Sequence, residues 1–394
     1  MRKFPCILIA LLAVACEKVE PAAPADDALL DGPLEGLSGA ELVRFLRGDA
    51  AFNGQAFHAG NGLGPVFVAT RCGSCHPGDG PGHPFTTLTR FGQCDETGNQ
   101  YLVQGGPQLQ DRAVPGVAPE TIPFGAPSAR FLPPLNTGLG YLDAVSDAGI
   151  LAWADENDAD GDGISGRPNW IHRKAYSTLR PEAIASGERY IGRFGRKAGA
   201  YDLLQQTAQA YNQDIGVVSL FEPIDPYTRE EQDPEVATST VQDVVFYLRT
   251  LKAPLQRGAG DTAVQAGAAV FASIGCGKCH RSEFITGDSP IPALAYRTFR
   301  PYTDLLLHDM GPGLDDGYTE GSALTAEWRT PALWGLGLFP DSQGGSYFLL
   351  HDGRAHSIQE AIGMHGGEGS GARDAFNALG TSEREDLMTF LQSL

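Results

Sequence analysis

Three stretches of the chain place apolar residues three and four positions apart, which is the spacing of one face of an α-helix. Stretch 262–274 (TAVQAGAAVFASI) carries such a face, and so do stretches 238–251 and 382–394, which both end in an aromatic residue followed by leucines. Ser382 and Glu385 have the spacing of a capping box at the start of the last stretch. The pattern therefore predicts three α-helices.

One five-residue motif, Cys-x-x-Cys-His, occurs twice. Its residues are Cys72, Cys75 and His76 in the first half of the chain and Cys276, Cys279 and His280 in the second. This is the attachment motif of a c-type haem, in which each thiol bonds to one vinyl group and the histidine binds the iron. Two half zinc sites are the alternative, but they leave both histidines unexplained. The motifs therefore predict two covalently bound haem c groups.

The two motifs divide the chain into similar halves. Each half contains one motif and closes with one of the predicted helices, 238–251 or 382–394, which is the plan of a small cytochrome c domain. The first half is longer because residues 77–134, rich in Gly and Pro, form an insertion. We therefore predict a mostly all-α fold with two cytochrome c-like domains, residues 36–253 with the loop-rich insertion and residues 254–394.

Residues 1–16 have the pattern of an export signal. Arg2 and Lys3 precede an apolar run, and small residues precede Cys16, as at a signal-peptide cleavage site. A cysteine at that junction predicts a bacterial lipoprotein lipidated on Cys16, with residues 17–35 as a flexible tether. Ordinary signal cleavage beside an incidental cysteine is the alternative. We expect an exported protein on the periplasmic side of a bacterial membrane, in contact with the membrane through this anchor only.

The net charge of the 394-residue chain is -19, from 29 basic and 48 acidic residues. This charge argues against nucleic acid as a partner and against electrostatic binding to anionic lipid. It suits a small redox protein of opposite charge as electron donor or acceptor. Of the seven cysteines, only Cys94 lies outside the signal, the lipidation site and the two motifs, so no structural disulfide is predicted.

A second kind of metal site is indicated at residues 158–165 (DADGDGIS). Asp158, Asp160 and Asp162 alternate and are followed by Gly and Ile, as in the first part of a calcium-binding loop. The bidentate glutamate of a complete EF-hand is missing, so ligands from elsewhere would have to complete the site. The loop therefore predicts a calcium ion, with a solvated acidic turn as the alternative.

The second half of the chain resembles the C-terminal domain of the bacterial di-haem cytochrome c peroxidases. Three motifs occur in the same order, at residues 307–311 (LHDMG), 328–334 (WRTPALW) and 347–353 (YFLLHDG). Those peroxidases place the distal ligand of the second haem fourteen residues beyond the histidine of the last motif, and here that position is His365. The resemblance implies that His280 and His365 bind the second iron, with Met364 as the runner-up.

Residues 40–394 are also similar to the di-haem oxidoreductases, a family loosely called thiol oxidoreductase-like. The shared motifs are GLGP at 62–65, DGISGR at 162–167, GRFGRKA at 192–198 and HGGE at 365–368. The haem-dependent rubber oxygenases resemble the chain more distantly. The resemblance implies an oxidoreductase with two haems.

The sixth ligand of the first iron stays open. The related peroxidases place a histidine about sixteen residues past the first motif, where this chain has Gly92; His83 is the alternative. We expect an open or water-bound iron, with Asp143 as the acid–base group of peroxide cleavage or else as a helix-surface residue.

Trp153 or Trp170 is a candidate electron relay between the haems, and a core residue otherwise.

Together these patterns predict an exported enzyme of the di-haem cytochrome c peroxidase type. The second haem, bound by two histidines, transfers electrons, and the first haem reacts with a small oxidant such as hydrogen peroxide. Two other functions stay open. One is electron transfer without catalysis, with both irons capped, and the other is an oxygenase whose organic substrate binds the loops of the first half.

Overall fold

The computed structural model describes residues 25–93 and 99–394. The predicted signal peptide with its Cys16 anchor, most of the predicted tether and Cys94 lie outside the described residues. Within these two ranges, no helix has both the length and the apolar character needed to cross a membrane.

The described residues form ten α-helices and eleven short strands. The helices are α1 (Gly39–Asp49), α2 (Leu139–Asp143), α3 (Asp147–Leu151), α4 (Leu203–Ile215), α5 (Thr238–Thr250), α6 (Thr262–Ser273), α7 (Phe339–Ser342), α8 (Ile358–Gly363), α9 (Ser370–Ala378) and α10 (Thr381–Ser393). The strands are β1 (Val66–Phe67), β2 (Leu88–Phe91), β3 (Arg112–Ala113), β4 (Ser128–Phe131), β5 (Trp170–Ile171), β6 (Ala185–Ser186), β7 (Arg189–Ile191), β8 (Phe284–Ile285), β9 (Thr298–Phe299), β10 (Leu307–Asp309) and β11 (Glu327–Arg329).

The prediction of a mostly all-α fold is wrong. Helices contain 35% of the residues and strands 12%, which makes the fold mixed. The strands pair antiparallel as β1–β3, β2–β4, β8–β9, β10–β11 and β5–β7–β6. With 50 Gly and 27 Pro, the long connections cannot continue as helix, and short paired segments satisfy their backbone groups instead.

The three predicted helices are confirmed to within one residue at each end, as α5, α6 and α10. The predicted capping box at Ser382 and Glu385 is wrong. Gly380 precedes the helix in an extended conformation, and its N–H donates to Glu383 Oε2 at 3.0 Å. The carboxylate that caps the helix therefore lies two residues earlier than the pattern suggested.

Each half contains a pair of helices in close contact at a glycine. A Cβ on Gly48 of α1 would collide with the Asp243 carbonyl of α5, and one on Gly267 of α6 would collide with the Asp386 carbonyl of α10. Glycine lets the two backbones approach more closely than any other residue would. The repeat that was predicted from the motifs thus extends to this helix contact.

The largest hydrophobic cluster joins residues from both halves of the chain. Leu248 of α5 and Phe194 belong to it together with Phe299, Leu305 and Trp334. A second cluster surrounds α6 and α10. The predicted domain boundary at residues 253 and 254 falls in the connection between α5 and α6.

Candidate functional site

The first Cys-x-x-Cys-His motif forms a tight turn. The N–H groups of Cys75 and His76 both donate to the Cys72 carbonyl, at 3.0 and 3.1 Å. A 3₁₀ turn places side chains three positions apart on one side, so the turn presents both thiols together. Both cysteines are free, and burial raises the pKa of each thiol to about 12.

His76 is half-buried beside this turn. Burial lowers the pKa of its imidazole to about 4, although the backbone of Pro134 and of Gly80 opposes the shift. Nδ1 is buried without a hydrogen-bond partner, and the Phe52 ring lies 6.0 Å from the imidazole between centroids. A neutral, half-buried imidazole with a ring nitrogen that has no hydrogen-bond partner is suited to bind a metal.

A cleft with about 710 Å³ of empty space, part of it open to solvent, lies near the first motif, whose own residues do not line it. Pro134 and Asp214 line it. The Asp214 carbonyl accepts the N–H groups of Val68 and Ala69 at 2.7 and 2.9 Å, and the Asp214 carboxylate contributes to the raised pKa of both thiols. None of the described residues that line the cleft is a histidine, methionine or cysteine.

Arg90 and Glu320 form an ion pair on the wall of the cleft. Arg90 Nη2 lies 3.1 Å from Glu320 Oε1, and its other nitrogens donate to Gln213 Oε1 at 3.2 Å and to the Tyr318 hydroxyl at 3.3 Å. Burial alone would lower the pKa of Arg90, but Tyr318 and Glu320 outweigh it and raise the pKa. The cleft therefore contains a carboxylate held by a half-buried cation.

Arg196 is a second cation that lines the cleft. Its Nε donates to the Leu132 carbonyl at 2.8 Å, and it forms no ion pair with any residue that the structure describes. Burial and the nearby Arg329 lower its pKa to about 10. An arginine without a carboxylate partner in the protein is suited to form a salt bridge with a carboxylate of a bound haem. The paired thiols and neutral His76 do not line the cleft themselves, but together with Arg196, which acts on the pKa of His76, they fit a covalently attached haem.

The second motif repeats the turn. Cys279 and His280 donate their N–H groups to the Cys276 carbonyl, and burial raises the pKa of Cys276 to about 11. His280 Nδ1 lies 2.9 Å from the Tyr302 carbonyl oxygen. Burial lowers the pKa of His280 to about 4, and the nearness of His365 lowers it further.

His365 has the same arrangement as His280. Its Nδ1 lies 2.7 Å from the Ala361 carbonyl oxygen, and burial lowers its pKa. Because a carbonyl oxygen only accepts, Nδ1 of each ring carries the hydrogen and Nε2 keeps its lone pair. The structure therefore brings together two neutral histidines whose Nε2 atoms are available to a metal, which fits a second haem.

Asp143 does not line the cleft. Its carboxylate lies 2.9 Å from Arg249 Nε and 3.8 Å from Arg180 Nη2. His83 lies elsewhere too, with its ring 4.6 Å from the rings of Phe85 and Phe348.

The two tryptophans considered as relays lie in different settings. Trp153 is 41% exposed and lies against the Arg281 guanidinium. Trp170 is half-buried in β5.

The acidic loop forms a cluster that differs from the predicted one. Oxygens of Asp155, Asp158 and Asp160 lie within 4.8 Å of one another. Asp162 instead pairs with Lys278 Nζ at 3.0 Å. Alternation along the sequence identified the loop, but it could not show that Asp155 belongs to the cluster or that Lys278 binds Asp162.

Sequence reasoning also missed Arg90 and Glu320. They lie far apart in the chain, and neither belongs to a recognisable motif. Their pairing depends on how the connections fold, so no local pattern indicates it.

Comparison with known proteins gives one family match. A family model described as "Di-haem oxidoreductase, putative peroxidase" matches residues 128–394, a range that contains the second motif but not the first. No curated protein matches the chain. Among solved structures, the chain is similar to Kuenenia stuttgartiensis hydrazine synthase pressurized with xenon, with 14% identity over 100% of both chains and a TM-score of 0.39.

Proposed function

The chain belongs to the di-haem oxidoreductase family, and we propose that it reduces hydrogen peroxide at its first haem with electrons that enter through its second. Both haems are of the covalent c type in this proposal, attached at Cys72 and Cys75 and at Cys276 and Cys279. One observation carries it. The described residues that line the cleft near His76 include no histidine or methionine, whereas His365 lies near enough to His280 to lower its pKa.

A haem bound through His76 supplies the iron at which a peroxide is reduced. Glu320 takes the proton of the incoming peroxide and returns it to the leaving oxygen, because cleavage of the O–O bond needs a group that moves a proton between the two oxygens. Arg90, 3.1 Å from that carboxylate, stabilises negative charge on the leaving oxygen. Asp143 is less suited to the role, because Arg249 holds its carboxylate and it does not line the cleft.

His280 and His365 would both bind the iron of the second haem, and a haem with two strong protein ligands would supply electron transfer. Apolar and polar residues both line the cleft, and its polar side chains Arg90, Gln213 and Glu320 suit peroxide as a substrate. We further propose an exported protein anchored through Cys16. Its net charge of -19 suits a basic redox protein as electron donor.

Low-temperature EPR of the oxidised holoprotein tests the proposal. We expect one high-spin and one low-spin haem, because His76 alone binds the first iron and two histidines bind the second. Steady oxidation of a reduced donor upon addition of peroxide is then expected from the same sample. Two low-spin signals together with no peroxide consumption would overturn the proposal and favour an electron carrier.

We also propose that Asp155, Asp158 and Asp160 bind calcium, because hard oxygen ligands in one cluster suit that ion. Calcium at about 100 times its Kd is expected to stabilise the chelator-treated holoprotein by about 2.7 kcal/mol, measured by thermal unfolding. Asp160→Asn is expected to abolish the effect. Asp162→Asn removes a carboxylate from the same loop but not from the cluster, so it should keep most of the effect. Equal responses of the two variants would identify the loop as a surface turn.

A further inference from the structure

His308 on β10 is buried, with 3% of its side chain exposed, and the proposed reaction does not use it. Nε2 lies 2.8 Å from Asp304 Oδ2, and Nδ1 lies 2.7 Å from Glu368 Oε2. An ionised carboxylate only accepts hydrogen bonds, so both ring nitrogens carry hydrogen and the ring is a cation. Although burial alone would lower the pKa of His308, the hydrogen bonds to the two carboxylates raise it well above 6.5.

This cation lies against the second haem motif. Cys279 Sγ is 3.5 Å from His308 Nδ1, and Cys279 is one of the two thiols proposed to hold the second haem. The sulfur of a thioether belongs to the edge of the haem. His308 therefore places a positive charge at that edge, in a buried region where water screens charge weakly.

The position of His308 is fixed by Ser165, at the end of the acidic loop, and by Gly166 directly after it. Glu368 accepts hydrogen bonds from Ser165 N at 3.0 Å and from Ser165 Oγ at 2.8 Å, and from Asp309 N at 3.2 Å. A Cβ on Gly166 would lie 2.8 Å from His308 Cε1, so only glycine leaves the imidazole room there. The charge is held in place from both sides.

We propose that His308 and Glu368 set the reduction potential of the second haem with opposite signs, through the contact of His308 with Cys279. The inference rests on the proposed attachment of that haem at Cys276 and Cys279. A reduced haem carries one positive charge less than an oxidised one, so a nearby cation stabilises the reduced form and a nearby carboxylate the oxidised form. Two histidine ligands give a lower potential than histidine with methionine. His308 offsets part of that lowering, so that the haem accepts electrons from a donor more readily.

The test is a redox titration of the second haem in full-length holoprotein, followed through its low-spin spectrum. At the potential where the second haem of the unchanged protein is half reduced, His308→Gln is expected to lower the ratio of reduced to oxidised haem about tenfold. Loss of a unit charge so close to the haem edge, in a buried region, changes the free energy of reduction by about the amount that such a factor requires. Glu368→Gln is expected to raise the same ratio. Asp309→Asn removes an exposed carboxylate from the same strand and is expected to leave the ratio within about twofold, since exposed charges are screened.

The opposite signs separate an electrostatic role from a structural one. Damage to the packing of the site would shift the reduction potential of both variants in the same direction or change the low-spin spectrum. An intact low-spin haem whose potential is the same in both glutamine variants would overturn this inference and leave the proposed function standing. A protein without haem at Cys276 and Cys279 would overturn the attachment and this inference together.

Discussion

Glu320→Gln is expected to lower the rate constant for peroxide reduction about 100-fold, within the usual effect of removing a general acid–base group. Glutamine keeps the size of the side chain and an oxygen for Arg90, 3.1 Å away, but it cannot take a proton from peroxide. The ion pair with Arg90 holds Glu320 on the wall of the cleft, where the proton must move. Stopped-flow mixing of the holoprotein with peroxide measures the rate constant, normalised to haem content.

Asp143→Asn is the matched variant for that experiment. It makes the same change of one carboxylate to an amide, at a residue that Arg249 and Arg180 surround and that does not line the cleft. A normal rate in this variant with a slow Glu320→Gln would assign the proton transfer to Glu320. The reverse result would assign it to Asp143 and contradict the proposed mechanism.

His365→Met is expected to raise the reduction potential of the second haem, because a thioether ligand stabilises the reduced iron more than an imidazole does. At an ambient potential where the unchanged protein is half reduced, the ratio of reduced to oxidised haem should rise at least about tenfold, which for one electron corresponds to about 59 mV. The oxidised spectrum should stay low-spin and gain a methionine–iron charge-transfer band. Spectroelectrochemistry measures both quantities on one sample.

Met364→Leu is the control, because Met364 precedes His365 and was the runner-up ligand in the sequence. It is partly buried in the cluster around α6 and α10, and leucine replaces it at similar volume. The potential should not change. A large shift in Met364→Leu with an unchanged spectrum in His365→Met would mean that Met364 binds the iron.

Three of the ten helices that the structure describes, α5, α6 and α10, were predictable because each carries a face of apolar residues long enough to show its period. Stretch 262–274 became α6 within one residue. Strands such as β10, with three residues, are too short for an alternating pattern to stand out from chance. The fold class was therefore wrong although the predicted helices were right.

The candidate site likewise contains some residues that the sequence could indicate and others that it could not. Cys72, Cys75 and His76 lie within five consecutive positions, so chemistry and spacing indicate them together. Arg90 and Glu320 meet only because separate connections fold against each other, and their pairing leaves no mark on the local sequence. Asp143 has the right chemistry in the sequence, but its arginine partners come from elsewhere in the chain. Acidic and basic residues are common, so sequence alone selects among them poorly.

Ser165 and Gly166 have a consequence for attempts to use either half of the chain by itself. Residues 254–394 contain the second motif, His308, Glu368 and His365, and resemble a module that could be excised. Excision would remove both hydrogen bonds of Ser165 to Glu368 and expose His308 where Gly166 now covers it. A transplanted half would then carry a haem whose potential differs from that of the parent. Chimaeras assembled from relatives should therefore inherit residues 162–167 together with the second half.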